Sequence, residues 1–128
     1  MEISLTQEQG RVPVTVLHLD GQLNMGASPA LEKQARSAFQ AGARFLLIDL
    51  SQVTSLTSAG LRSILMICRM YSQAYPELNQ AESPSNEPKN ACVKLLNPNP
   101  QVENVLNIAG FDRFLDIFKD RKAAIDSF

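Results

Sequence analysis

Apolar and polar positions change their period along the chain, and each change predicts an element. Residues 2–8 alternate as in a half-exposed strand, whereas residues 12–19 are apolar at both parities, as in a strand covered on both faces. A turn at 9–11 would join them as a hairpin. Further apolar runs at 44–50 and 91–96 have the length and residue types of buried strands.

In the segments between these strands, apolar residues recur at helical spacing. Ser28 followed by Pro29 offers an N-cap with proline at the first helical position, and Gly42 would end that helix. Strand, helix and strand in this order favour a right-handed parallel crossover. The predicted fold class is α/β, with a mixed four- to five-stranded sheet packed with about four helices. The remaining predicted helices and the short last strand lie at 58–75, 99–109, 120–127 and 115–118.

Residues 76–90 differ from the rest of the chain in composition. They carry Pro, Asn, Ser, Glu and Gln with almost no apolar side chains, which predicts a flexible surface loop. A length of 128 residues fits one domain, and the chain shows no internal repeat. We therefore expect a single domain over residues 1–128 with a flexible loop at about 76–90.

Composition and charge exclude several classes of function. The chain is 45% hydrophobic and 20% charged with a formal net charge of -1, and its basic residues are scattered, which argues against nucleic acid and membrane partners. No apolar run approaches the ~18 residues of a membrane span, and the first residues lack a signal-peptide pattern. We expect a cytoplasmic protein, with Cys68 and Cys92 as buried, reduced thiols.

No residue pattern in the chain predicts a catalytic centre. His18 lies in the middle of a strand, where we expect a packed or hydrogen-bonded structural role. Ser58 lacks the Gly two residues earlier that a nucleophile elbow requires. Neither a Gly-rich phosphate loop nor Cys and His at metal-ligand spacing is present. We expect no enzymatic activity, no cofactor and no metal.

Ser58 is the most informative polar residue because it lies where an apolar strand, a polar turn and a helix follow one another. A Ser at a helix start can be a plain N-cap, and the same backbone N–H groups and helix dipole favour a negative charge there. Asn24 follows the neighbouring strand, so a parallel pair would bring Asn24 near Ser58. For Asp49 we expect a structural role, capping the turn amides at 51–53.

Three sequence motifs occur together along the chain. The main one is Asp-Leu-Ser-x-Val-x-x-Leu-x-Ser-Ala-Gly-Leu at Asp49–Leu61, and it is accompanied by Gly-x-Leu-Asn at Gly21–Asn24 and a helix-and-turn motif at Asn99–Phe111. As a set they resemble the STAS family, whose founding members are bacterial anti-sigma-factor antagonists. The resemblance implies a STAS-like fold. It also implies that Ser58 is phosphorylated by a partner kinase and that the unphosphorylated form binds that kinase.

The resemblance also implies partners and a binding surface. The partner would be an anti-sigma factor that is a serine kinase of the GHKL ATPase class, and a PP2C-type phosphatase is a further candidate. Thr57 is a second candidate acceptor; it and Asn24 stand where the founding members carry Asp. The open alternatives are a regulatory or scaffold module of a transporter or signalling complex, and a small-molecule or nucleotide-binding domain. The predicted partner-binding residues are Asn24, Thr57, Ser58, Ala59 and Gly60.

Overall fold

Five strands form one mixed sheet in the computed structural model, which describes residues 1–74 and 90–128. The order is β1-β2-β3-β4-β5; β1 and β2 form an antiparallel hairpin, and every other neighbouring pair is parallel. The predicted α/β class, hairpin and parallel crossover are confirmed. In chain order the elements are β1 Glu2–Gln9, β2 Pro13–Leu23, α1 Ser28–Gln40, β3 Leu46–Leu56, α2 Ser58–Ala74, β4 Val93–Leu96, α3 Pro100–Ile108, a 3₁₀ turn at Phe111–Arg113, β5 Ile117–Phe118 and α4 Arg121–Asp126.

Helices cover both faces of the sheet, but unequally. The larger core joins one face to α1, α2 and α3, with Leu17, Ile48 and Ile64 among its fully buried members. The smaller core joins the opposite face to α4 through Ala124 and Ile125. Strand β2 contributes to both cores, which is why its sequence is apolar at both parities.

Strands β2 and β3 extend further than the apolar runs predicted. The predicted strand ends at residues 19 and 50 are wrong. The two strands continue to pair beyond them, from Asp20 with Gln52 to Leu23 with Leu56, although several of these residues are polar. Two irregularities in the β2–β3 register, within His18–Gln22, accompany this extension. Such irregularities let a strand continue while its side-chain alternation shifts, so periodicity alone does not reveal the extension.

Helix α1 ends at the predicted glycine but does not begin at the predicted cap. Gly42 and Gly110 have positive φ angles of 104° and 81° just after α1 and α3, as expected for helix-terminating glycines. Asn99 caps α3 by accepting a hydrogen bond from the Val102 N–H at 2.8 Å. Ser28 is not the cap of α1: Ala27 occupies that position, and Ser28 is the first helical residue.

The predicted flexible loop at 76–90 lies outside the described residues except at Asn90, where the prediction is wrong. Asn90 is buried, and its side-chain oxygen accepts hydrogen bonds from the Cys92 and Val93 N–H groups at 2.8 and 3.0 Å. Its amide nitrogen donates to the Cys68 carbonyl at 3.3 Å. Cys68 and Cys92 are both buried free thiols, as expected.

Candidate functional site

The site forms where β2 and β3 end side by side. Leu23 pairs with Leu56, and the Thr57 N–H donates to the Leu23 carbonyl at 3.1 Å. Asn24 follows Leu23 directly, and Ser58 follows Thr57. The parallel pairing therefore brings the Asn24 turn and the start of α2 to the same edge of the sheet, where loops that follow parallel strands carry binding sites.

Asn24 holds the turn between β2 and α1. Its side-chain oxygen accepts from the Ala27 N–H at 3.1 Å, and its carbonyl accepts from the Ser28 N–H at 3.0 Å. The Ser28 hydroxyl lies 3.0 Å from that same carbonyl and 3.1 Å from the carbonyl of Ala59. Ser28 thus ties the start of α1 to the start of α2, a role that sequence reasoning missed because the Ala59 partner is 31 residues away.

Thr57, rather than Ser58, occupies the cap position of α2. Helix α2 begins at Ser58, and the Thr57 carbonyl accepts its first helical hydrogen bond from the Leu61 N–H at 2.9 Å. The alternative in which Ser58 is a plain N-cap therefore does not hold, because Ser58 is the first helical residue. The Thr57 hydroxyl donates back to the Leu23 carbonyl at 3.4 Å. Ser58 is exposed, and its hydroxyl makes no hydrogen bond to the part of the chain that the structure describes.

Gly60 lies beneath this surface and sets the position of α2. It is buried, and a Cβ at this position would lie 2.6 Å from the Leu23 carbonyl oxygen and 2.8 Å from side-chain atoms of Leu23 and Leu56. Only glycine allows the helix to approach the ends of β2 and β3 this closely. Gly60 therefore shapes the site from below, whereas Ala59 beside it is half-exposed.

A shallow groove of about 360 Å³ lies between α1 and α2, and its lining includes Ala59, the residue after Ser58. Two methionines with large exposed fractions border it, Met25 at 78% and Met66 at 43%. Glu32 from α1 and Arg62 from α2 supply its charged groups. Exposed, unbranched methionines adapt to different partner shapes, and neighbouring apolar side chains at a surface commonly mark a docking site.

His18 and Asp49 form a chain of hydrogen bonds on the face of the sheet opposite to α1 and α2. The His18 ring nitrogens lie 2.8 Å from an Asp49 carboxylate oxygen and 2.9 Å from the Thr6 hydroxyl. The other Asp49 oxygen accepts from the Ser51 N–H at 3.0 Å. Burial raises the pKa of Asp49, but the hydrogen bonds from Ser51 and His18 outweigh it, so the pKa is lowered overall.

These contacts confirm the predicted structural role of Asp49 and the hydrogen-bonded state of His18. Thr6 was missed because nothing in its sequence surroundings indicates a partner on another strand. Among residues 1–74 and 90–128, no three His, Cys, Asp or Glu side chains come together as a metal site. Across the same residues, no helix has both the length and the apolar character needed to cross a bilayer.

Comparison with known sequences identifies the family. Residues 5–77 match the sequence model of the STAS domain. The chain belongs to the STAS domain family. The match in this STAS chain spans Asn24 and the whole segment Thr57–Gly60, so the edge described above lies within the family region.

Relatives of this STAS chain include proteins with named roles. BtrV of Bordetella bronchiseptica, described as a candidate anti-sigma factor antagonist, is 26% identical over 110 residues, covering 86% of this chain and 82% of BtrV. A Thermotoga maritima protein with the same description superposes with a TM-score of 0.71 at 23% identity, covering 88% of this chain and 85% of the other. The phosphorylated form of the Bacillus cell-fate determinant SpoIIAA superposes with a TM-score of 0.67 at 18% identity, covering 98% and 97%. The unphosphorylated form of SpoIIAA, named as an anti-sigma factor antagonist, gives a TM-score of 0.63 at 18% identity, covering 98% and 96%.

Proposed function

We propose that this chain is an anti-sigma-factor antagonist whose binding state is set by phosphorylation of Ser58. The unphosphorylated form binds an anti-sigma factor that is also a serine kinase of the GHKL ATPase class, and a PP2C-type phosphatase restores that form. The roles named for BtrV and the Thermotoga protein support the function, and the phosphorylated SpoIIAA supports the modification. The chain acts in the cytoplasm, as a binding protein rather than an enzyme.

One observation carries the choice of Ser58: the residue is exposed and its hydroxyl makes no hydrogen bond within the described part of the chain, whereas the hydroxyls of Thr57 and Ser28 do. Thr57, the second candidate acceptor, donates to the Leu23 carbonyl at 3.4 Å. Ser28 is only 8% exposed, and its hydroxyl contacts two backbone carbonyls. A kinase therefore has to break a hydrogen bond to reach the hydroxyl of Thr57 or Ser28, but none to any described residue to reach that of Ser58.

The surface around Ser58 suits a docking partner. Asn24, Thr57 and Ala59 lie at the same edge, and the groove with Met25 and Met66 adjoins it. Apolar groups at the centre of a patch with charged groups at its rim are typical of protein interfaces. We assign Gly60 an indirect part in binding, because its lack of a side chain holds α2 close to β2.

Phosphorylation adds charge where the partner has to dock. The γ-phosphoryl group of ATP forms a P–O bond to Ser58 Oγ, the bond to ADP breaks, and the hydroxyl proton leaves to a base of the kinase. The product carries about -1.5 to -2 charges, which must lose hydration when the partner covers this surface. The first turn of α2 contains no acidic residue, so the phosphate meets no like charge within its own helix turn. Binding weakens while the fold persists.

Calorimetric titration of the anti-sigma factor kinase from the source organism with three forms of the chain tests this function. Ser58→Ala should bind like the wild type, and Ser58→Asp should bind at least ~10-fold more weakly, a loss of about 1.4 kcal/mol. Thr57→Val is the matched control for the neighbouring hydroxyl, and circular dichroism establishes that all forms are folded. Equal affinities of wild type and Ser58→Asp would refute the switch.

A further inference from the structure

Ser58 and Arg62 are two exposed polar side chains that lie one turn apart on the same face of α2. Residues four positions apart in a helix have Cβ atoms about 5 to 6 Å from each other. Neither side chain forms a hydrogen bond or an ion pair with any described residue. The Arg62 guanidinium can therefore change its direction without breaking a hydrogen bond or ion pair to residues 1–74 or 90–128.

Arg62 also borders the groove beside Ser58. Its side chain lines that groove together with Met25, Met66 and Glu32, so it is a cation available to a docking partner. A guanidinium binds phosphate oxygens with two parallel N–H groups, which makes arginine well suited to a phosphoryl group within reach. Ser58 and Arg62 thus place the proposed modification site and an exposed cation on one face of α2.

We propose that Arg62 is the internal partner of the phosphoryl group on Ser58. This inference rests on the proposed function, because it concerns the phosphorylated state. The ion pair draws the Arg62 guanidinium toward Ser58 and away from the groove. Glu32 then remains as the charged side chain that lines the groove. Phosphorylation then alters the docking surface twice, by adding negative charge at Ser58 and by withdrawing a positive charge from the groove.

A pH titration followed by ³¹P NMR tests this pairing without any kinase. Phosphoserine is incorporated at position 58 during translation, and the midpoint of the phosphate titration is measured at low salt in the parent, in Arg62→Gln and in Arg69→Gln. A nearby cation favours the dianion, so Arg62→Gln should raise the midpoint by about 0.3 pH unit, the size expected of an exposed helical ion pair. Arg69 is exposed on the same helix but eleven positions from Ser58, so its substitution should leave the midpoint unchanged.

A rise confined to Arg62→Gln supports the pair. Unchanged midpoints in both variants, or an equal rise in both, would overturn it, and circular dichroism checks that each form is folded. Because translation supplies the phosphate, these outcomes do not depend on recognition by a kinase. Failure of the switch experiment with Ser58→Asp would remove the proposed function without altering this titration.

Discussion

Helices α1 and α2 each follow one of two adjacent parallel strands, and each begins with a serine. Ser28 at the start of α1 is 8% exposed, and its hydroxyl faces the carbonyls of Asn24 and Ala59. Ser58 at the start of α2 is exposed and makes no side-chain hydrogen bond to the described residues. The same residue type at the same helical position is structural in one helix and chemically available in the other.

The difference arises from what packs over each helix start. The first turn of α2 covers Ser28 through the Ala59 carbonyl, whereas no described element covers Ser58 in return. Gly60 permits this packing, because its missing side chain lets α2 approach Leu23 and Leu56 closely. The position of a serine within a helix therefore does not determine whether its hydroxyl is accessible to a kinase. The packing around the helix start determines it.

The largest difference in stability between the two helix starts should appear when a charge is introduced at each serine. Ser28→Asp buries a carboxylate against two carbonyl oxygens and should lower the free energy of unfolding by ~3 kcal/mol or more. Ser58→Asp places the same charge in solvent at the positive end of the helix dipole, so stability should change by less than ~1 kcal/mol. Chemical denaturation measures both, and equal losses would mean that the two sites have similar burial.

Gly60→Ala should destabilise the protein by ~1 to 3 kcal/mol, because the added methyl group overlaps the Leu23 carbonyl and forces α2 to move. In an open helix the same change stabilises by about 1 kcal/mol, so the sign of the effect identifies the close contact. Ala30, the third residue of α1, is exposed and offers the matched control Ala30→Gly. Denaturation curves in which Gly60→Ala gains stability would contradict the role assigned to Gly60.

Removing the two hydroxyls should also destabilise the protein more at Ser28 than at Ser58, but by a smaller amount. Ser28→Ala should lose ~1 to 2 kcal/mol with its buried hydrogen bonds, and Ser58→Ala should remain within ~0.5 kcal/mol of the wild type. Thermal and chemical unfolding of both variants measure the difference. A loss at Ser58→Ala as large as that at Ser28→Ala would show that the Ser58 hydroxyl has a structural partner.

Acid should reveal the contribution of Asp49, which lies away from both serines. Its pKa is lowered from 3.8 in the folded protein, so its stabilising contribution is fully present above that value and is lost as the pH falls through the folded pKa. Between about pH 5 and about pH 2, the wild type should therefore lose more stability than Asp49→Asn. This difference should be the same in a Ser58→Asp background, and a changed difference would indicate coupling between the two regions.

Local patterns in the sequence predict much of this fold. Alternation locates β1 and apolar runs locate the other strands, glycines mark the ends of α1 and α3, and parallel pairing predicts that Asn24 and Ser58 share an edge. The extensions of β2 and β3 were not predictable, because residues Gln52–Leu56 are polar in part and pair only through register irregularities.

Contacts between distant segments account for the rest of what was missed. The partners of Ser28 and His18 lie 31 residues away in Ala59 and Asp49, and no local propensity encodes such distances. The difference between the cap position and the first helical position of α2 is a single residue, but it matters for chemistry. A serine at the cap position can use its hydroxyl to bond the helix backbone, whereas the hydroxyl of Ser58 makes no hydrogen bond to the described residues.

The most direct test of Ser58 as the phosphate acceptor is to locate the phosphate after reaction of the chain with the kinase and ATP. Mass spectrometry is applied to the wild type, Ser58→Ala, Thr57→Val and Ser28→Ala, and the wild type should carry one phosphate, on Ser58. That phosphate should be absent only in Ser58→Ala, with Thr57→Val and Ser28→Ala modified to the same extent as the wild type. A phosphate found on Thr57 or Ser28 in the wild type, or full modification of Ser58→Ala, would contradict the claim that Ser58 is the acceptor.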